Sequence, residues 1–151
     1  MIYYLGIGSN LGDREKNVRI AVEELGGELD VIQTSSLYET EPWGLKDQPS
    51  FLNGVVKVRT GVDPFAMLKL LKRIEGKLGR EADRRWGPRV IDIDIVAAFE
   101  DDGEEVTIDA PTLKIPHELA EKRDFVLLPL KEVEPTFILK GKSLDHWISK
   151  L

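Results

Sequence analysis

The ten residues Val90-Ile91-Asp92-Ile93-Asp94-Ile95-Val96-Ala97-Ala98-Phe99 read as a β-strand, rich in β-branched residues and broken by no glycine or proline. Successive side chains of a strand point to opposite faces. Asp92 and Asp94 therefore share one face, while Ile91, Ile93 and Ile95 turn to a core. The strand rise puts the two aspartate Cα atoms about 6.6 Å apart, close enough for both carboxylates to reach the same ion.

Upstream of this strand the chain alternates periods. Residues 2–7 are aliphatic and aromatic and read as a buried strand. After a loop over 8–12, Asp13 caps a helix to about Leu25, with Val18, Ala21, Val22 and Leu25 on its apolar face and Gly26-Gly27 ending it. Residues 29–38 read as a second strand, and 39–50, with Pro42, Gly44 and Pro49, as a loop. A third strand covers 51–59. Asp63-Pro64 then starts a helix through Phe65, Leu68, Leu71, Ile74 and Leu78 to Gly79. Strand 90–99 completes a strand-helix-strand-strand-helix-strand order. That is the ferredoxin-like βαββαβ arrangement, an α+β fold with helices on an antiparallel sheet. An acidic turn at 100–105, a short return strand at 106–108, a Pro-His loop, a helix over 125–133 and a terminal helix with Trp147 follow as C-terminal additions. Residues 1–151 are expected to form one domain.

Composition narrows the function. No run approaches the 18 apolar residues of a membrane span, and no basic leader precedes the first strand, so a cytoplasmic protein is expected. With no cysteine, disulfides, thiol nucleophiles and cysteine-ligated metals are excluded. The net charge of −6 argues against a nucleic-acid binder. Yet Arg80, Arg84, Arg85 and Arg89 gather four of the nine arginines into ten residues, the mark of an anion to be met there.

Alone, the Asp92/Asp94 pair is more often the signature of a wetted strand face than of a metal site. Aspartate is a poor strand former, however, and two on one face repel without a cation. The segment 80–89 stands immediately before them. Arginine forks match phosphate oxygens, and a loop containing Gly87 and Pro88 can close over a ligand. Cations for phosphate and anions for its metal are the two halves of a phosphoryl-transfer site, and Mg²⁺ suits carboxylates on a rigid strand. The loop Gly6-Ile7-Gly8-Ser9-Asn10-Leu11-Gly12 is not a dinucleotide fingerprint. Its third glycine falls one place late and no parallel crossover follows. It reads instead as a tight turn that lets a ligand approach the backbone. Asn53, between apolar neighbours, offers the donor and acceptor that a heterocycle edge requires, or else bonds the loop backbone. Phe51 and Phe125 read from pattern as core residues.

These residues together resemble the 6-hydroxymethyl-7,8-dihydropterin pyrophosphokinase family. The resemblance rests on Gly8-Ser9-Asn10-Leu11-Gly12, Ser36-Leu37-Tyr38-Glu39-Thr40, Asp47-Gln48-Pro49, Phe51-Leu52-Asn53, Arg85-Trp86-Gly87-Pro88-Arg89, Asp92-Ile93-Asp94, and Ile115-Pro116-His117 with Arg123 and Phe125. It implies pyrophosphate transfer from ATP to a pterin hydroxymethyl group with release of AMP, in folate biosynthesis. Asp92 and Asp94 would be ligands of two Mg²⁺ ions. The pterin would stack between Phe51 and Phe125, bonded by Asn53 and bounded by Gly8, Thr40, Pro42 and Trp43. Arg80 and Arg89 would act on the phosphates, with Trp86 closing the site. His117 and Arg123 would contact ATP phosphates, and Lys72, Glu75 and Arg85 would lie near the nucleotide. Lys114 and Glu118 replace residues common in relatives near the adenine. The partners implied are small molecules, not nucleic acid or membrane. The alternative from another class is a ferredoxin-like ligand- or RNA-binding module without catalysis, which leaves the arginine segment unexplained.

Overall fold

The computed structural model describes residues 1–40, 50–79 and 90–151. Among them, helices and an antiparallel sheet are mixed. Strand β1 (Ile2–Ser9) is followed by α1 (Arg14–Gly26), β2 (Asp30–Thr34), β3 (Tyr38–Thr40), β4 (Phe51–Arg59), α2 (Pro64–Leu78) and β5 (Asp92–Phe99). The sheet order is β2-β4-β1-β5, with β3 continuing the edge along β4, and every neighbouring pair is antiparallel.

Local chemistry explains the helix starts. The Asp13 carboxylate accepts from the Lys16 N–H at 3.2 Å. The Asp63 carboxylate accepts from the Phe65 and Ala66 N–H groups at 3.0 and 3.1 Å, with Pro64 in the first turn where its missing N–H costs nothing.

The sheet divides two cores. Tyr3, Leu5, Ile7, Val56, Val58, Ile91, Ile93 and Ile95 face α1 and α2, which close that side with Leu25, Met67, Leu71 and Ile74. Tyr4, Val55, Val96 and Ala97 face the other way, onto α3 (Asp124–Val133) and Phe137, Leu139 and Leu144. This second cover reaches only one end of the sheet. The other end carries Gly6, Gly8, Asn53, Asp92 and Asp94 on the α3 side, and there the sheet surface opens into a cavity.

Three boundaries differ from the sequence reading. The strand expected over 29–38 breaks after Thr34. There the Ser35 hydroxyl accepts from the Val55 N–H at 2.8 Å, and Ser36 gives its N–H and hydroxyl to Glu132. Ser35 keeps its own N–H on the Val55 carbonyl at 2.9 Å, but its hydroxyl replaces a backbone carbonyl as acceptor, and the chain re-enters as β3. The last strand of the sheet begins at Asp92 instead of Val90. The return strand expected at 106–108 is a single bridge between Phe99 and Glu105, followed by a separate hairpin of β6 (Ile108–Ala110) and β7 (Leu113–Ile115). A second small hairpin, β8 (Ile138–Leu139) and β9 (Lys142–Ser143), precedes α4 (Leu144–Ile148). None of the described helices is long and apolar enough to cross a membrane.

Candidate active site

Register builds the site. Tyr38 of β3 pairs with Asn53 of β4, Asn53 with Gly8 of β1, and Gly8 with Asp92 of β5, so one row crosses four strands. Two residues along β1, Gly6 pairs with Asp94. Glycine is required at the centre of the row. A Cβ on Gly8 would stand 2.3 Å from Asn53 Oδ1 and 3.5 Å from the Phe51 ring. Without side chains at 6 and 8, the strand becomes the floor of a cavity of about 150 Å³.

Asn53, 7% exposed and one of three buried polar residues among those described, donates through Nδ2 to Thr40 Oγ1 at 2.9 Å. That bond fixes the amide plane at the cavity wall. Phe51 and Phe125, read from pattern as core, are both only half-buried and line the same cavity, with Phe125 also packing against the α3-side core. Arg123 completes the wall. Its guanidinium lies 5.2 Å from the Phe125 ring centroid, a cation–π contact, and Nη1 is 4.0 Å from Asp94 Oδ2.

His117 is tied to β5 through its N–H, which donates to the Val96 carbonyl at 2.8 Å. Its Nδ1 accepts from the Leu119 N–H at 3.1 Å, so the neutral ring carries its proton on Nε2. Burial holds its pKa below the ordinary 6.5, helped by the positive charges of Arg123 and Lys140. The imidazole is thereby kept neutral, with one N–H to offer.

A second, more open space lies across β5, lined by Lys69, Lys72, Ile95, Pro111, Leu113 and Lys114. Asp94 and His117 border both spaces and so stand at their junction. Of the residues singled out in the sequence, Gly8, Thr40, Phe51, Asn53, Asp92, Asp94, His117, Arg123 and Phe125 converge on the first space, and Lys72 on the second. Pro42, Trp43, Arg80, Arg85, Trp86 and Arg89 lie outside the described residues.

Glu75 lines neither space. From α2 its Oε2 accepts from the Ile93 N–H at 2.7 Å, on the open edge of β5, and Lys72 Nζ is 3.5 Å away. Burial pushes its carboxyl up to about 7, and the neighbouring Asp92 charge pushes the same way. The glutamate thus holds the backbone between the two aspartates.

Two contributors had no signal in the sequence. Glu132 of α3 accepts from the Ser36 N–H at 2.8 Å and the Tyr38 hydroxyl at 2.6 Å, anchoring β3. Arg14 Nη1 donates to Glu39 Oε1 at 3.2 Å and to the Ser50 carbonyl at 2.9 Å, drawing the end of β3 and the start of β4 together.

Hard carboxylate oxygens, an arginine and a neutral histidine beside an aromatic-walled cavity define a site that can bring a phosphate-bearing ligand against a flat heterocycle. Over residues 4–135 the chain matches the model of a family described as 7,8-dihydro-6-hydroxymethylpterin-pyrophosphokinase (HPPK). It is 41% identical over 150 residues to the 2-amino-4-hydroxy-6-hydroxymethyldihydropteridine pyrophosphokinase of Methylorubrum extorquens, covering 98% of this chain and 92% of that protein. The protein of the same name from Aquifex aeolicus is 42% identical over 135 residues, 89% of this chain and 81% of the relative. Among solved structures, wild-type HPPK-DHPS of Plasmodium falciparum superposes with a TM-score of 0.72 at 19% identity, over 99% of this chain and 40% of that one, a likeness of fold. The chain belongs to the 7,8-dihydro-6-hydroxymethylpterin-pyrophosphokinase family. It is an ATP-dependent diphosphokinase, and the reading as a non-catalytic binding module falls away.

Proposed function

We propose that this cavity is where pyrophosphate passes from ATP to the hydroxymethyl group of 6-hydroxymethyl-7,8-dihydropterin, the reaction of the family in folate synthesis. The observation that carries the assignment is the cross-strand row that sets Asn53, Gly8 and Asp92 side by side, with two phenyl rings and a cation over it. The pterin ring stacks between Phe51 and Phe125. The Asn53 amide, its plane set by Thr40, reads the heterocycle edge. Gly8 gives the ring its approach to the sheet, and Pro42 and Trp43 bound it on the remaining side. The hydroxymethyl oxygen attacks the β-phosphorus, the bond from that phosphorus to the α,β-bridging oxygen breaks, and AMP leaves.

The phosphates meet cations and donors. Arg123, steadied on Phe125, and the Nε2–H of His117 bind phosphate oxygens at the junction of the two spaces. Lys72 and Arg85 lie toward the nucleotide, Arg80 and Arg89 neutralise charge on the transferring group, and Trp86 closes the site; these assignments are supported by the family motif. Glu75 contributes on the nucleotide side through its bonds to Ile93 and Lys72.

Asp92 and Asp94 fit Mg²⁺. They are half-buried, share a face and offer hard oxygens, and among the described residues no further acidic or imidazole group completes a three-ligand cluster with them. That is the donor set of an ion held by one or two carboxylates together with substrate phosphates and water. Two such ions, when bound, supply the positive charge that offsets the triphosphate.

The strand order supports a ferredoxin-like βαββαβ core extended by C-terminal strands and helices, with residues 1–151 as one pyrophosphokinase domain. The small charged substrates fit a cytoplasmic setting, without nucleic acid or membrane. Asp92→Asn and Asp94→Asn test the assignment. Each is expected to lower pterin-dependent AMP formation at least about a hundredfold while the unfolding transition persists. Turnover near the wild-type rate in either variant would remove the pair from the mechanism.

A further inference from the structure

Lys140 is the single described non-glycine residue with a left-handed backbone, at φ 49°. Ile138 pairs with Ser143 and Leu139 with Lys142, so Lys140 and Gly141 (φ 80°) form the two-residue turn of the β8–β9 hairpin. Turns with positive φ at both positions favour Asn-Gly. A long side chain there is strained, and such strain persists only where its surroundings impose it.

The surroundings are specific. Lys140 Nζ donates to Glu121 Oε1 at 2.9 Å, to Glu121 Oε2 at 2.7 Å and to the Glu118 carbonyl at 3.0 Å. All three ammonium donors are used, and the pair is mostly buried, with side-chain exposures of 26% and 16%. Glu118 and Glu121 belong to the short segment between His117 and Arg123. That segment is a single short 3₁₀ turn, held by the Ala120 N–H to the His117 carbonyl at 3.2 Å, the Lys122 N–H to the Leu119 carbonyl at 3.0 Å and the Arg123 N–H to the Ala120 carbonyl at 3.4 Å. A 3₁₀ turn this short has poorer bond geometry than an α-helix. The hairpin, in contrast, is fixed: Leu139 is 1% exposed, and its carbonyl accepts from Trp147 Nε1 at 2.7 Å.

We propose that Lys140 is a positioning residue, a tether from the rigid C-terminal hairpin that sets the spacing of His117 and Arg123 and so the binding of the triphosphate. This rests on the assignment of those two residues to the phosphates.

Three variants separate the tether from general stability. Lys140→Asn suits the turn and removes the tether, whereas Lys140→Arg keeps a cation. Gly141→Ala strains the same turn, at a position where a Cβ meets nothing within 4 Å, and leaves the tether in place. AMP formation and thermal unfolding are measured for each. Lys140→Asn is expected to raise KM for MgATP roughly tenfold, as small misplacements of binding groups do, with KM for the pterin unchanged and no matching loss of unfolding midpoint. Lys140→Arg should restore most of the MgATP affinity, and Gly141→Ala should lower the midpoint without moving KM. An unchanged KM for MgATP in Lys140→Asn, or an equal rise in Gly141→Ala, overturns the tether. His117→Ala and Arg123→Ala serve as reference. If neither alters KM for MgATP, the phosphate assignment itself fails; if both do and Lys140→Asn does not, the tether alone fails.

Discussion

Glu75→Gln should stabilise the metal-free enzyme at alkaline pH and do little for it in acid. Glu75 is 14% exposed, and its carboxyl is raised from 4.5 to about 7, mainly by burial. The folded chain therefore holds this proton more tightly than the unfolded chain. Stability from that difference is fully present below the unfolded value and is lost as pH rises through about 7. A shift of this size is worth on the order of 3 kcal/mol at pH 8, where the wild-type carboxylate is buried charged. Glutamine keeps the shape, and its carbonyl still accepts from the Ile93 N–H, but it carries no charge to desolvate. The variant should thus gain up to about 3 kcal/mol at pH 8, roughly 6–12 °C in midpoint for a chain of this size, and no more than about 1 kcal/mol at pH 5. Urea unfolding followed by far-ultraviolet circular dichroism, with a chelator present, measures the difference at each pH. Subtracting variant from wild type cancels the titrating groups that do not interact with Glu75. A difference independent of pH, or a variant less stable than wild type at pH 8, would refute the reasoning.

Gly8→Ala places a methyl 2.3 Å from Asn53 Oδ1, so the amide must leave its Thr40 bond. Overpacking of this kind costs about 1–3 kcal/mol, and calorimetry should show weakened pterin binding with MgATP binding retained. His117 gives the opposite pH sign from Glu75. Its folded pKa is depressed, so its contribution to stability is present above 6.5 and lost as pH falls through the lower folded value. His117→Gln should accordingly flatten the acid limb of the stability profile, measured by unfolding between pH 5 and 7.

What could be read in the chain was whatever depends on near neighbours. Alternation through residues 91–95 assigned the isoleucines to the core, where Ile91, Ile93 and Ile95 are 4%, 3% and 4% exposed, and put both aspartates on the opposite face. Asp13 and Asp63-Pro64 marked their helix starts through bonds two or three residues away. Phe51 and Phe125 read as core, because periodicity does not say whether a face is covered. Only the limited reach of α3 decides that. The break after Thr34 was hidden because serine's preference for side-chain bonds became effective only with Val55 alongside. The Gly8–Asn53 contact depends on cross-strand register, the Tyr38–Glu132 bond on a separation of 94 residues, and the Lys140 tether on a turn that packs against a distant segment. Long-range pairing of this kind carries no local pattern. The proposed roles of Pro42, Trp43, Arg80, Arg85, Trp86 and Arg89 fall outside the described residues and remain testable by substitution.

The most direct test follows the β-phosphorus. The wild-type enzyme is given ATP labelled at that position, Mg²⁺ and hydroxymethyldihydropterin, and the products are separated. Unlabelled AMP is expected, one for each pterin consumed, with the label on a pterin diphosphate. Labelled ADP beside a pterin monophosphate would contradict it.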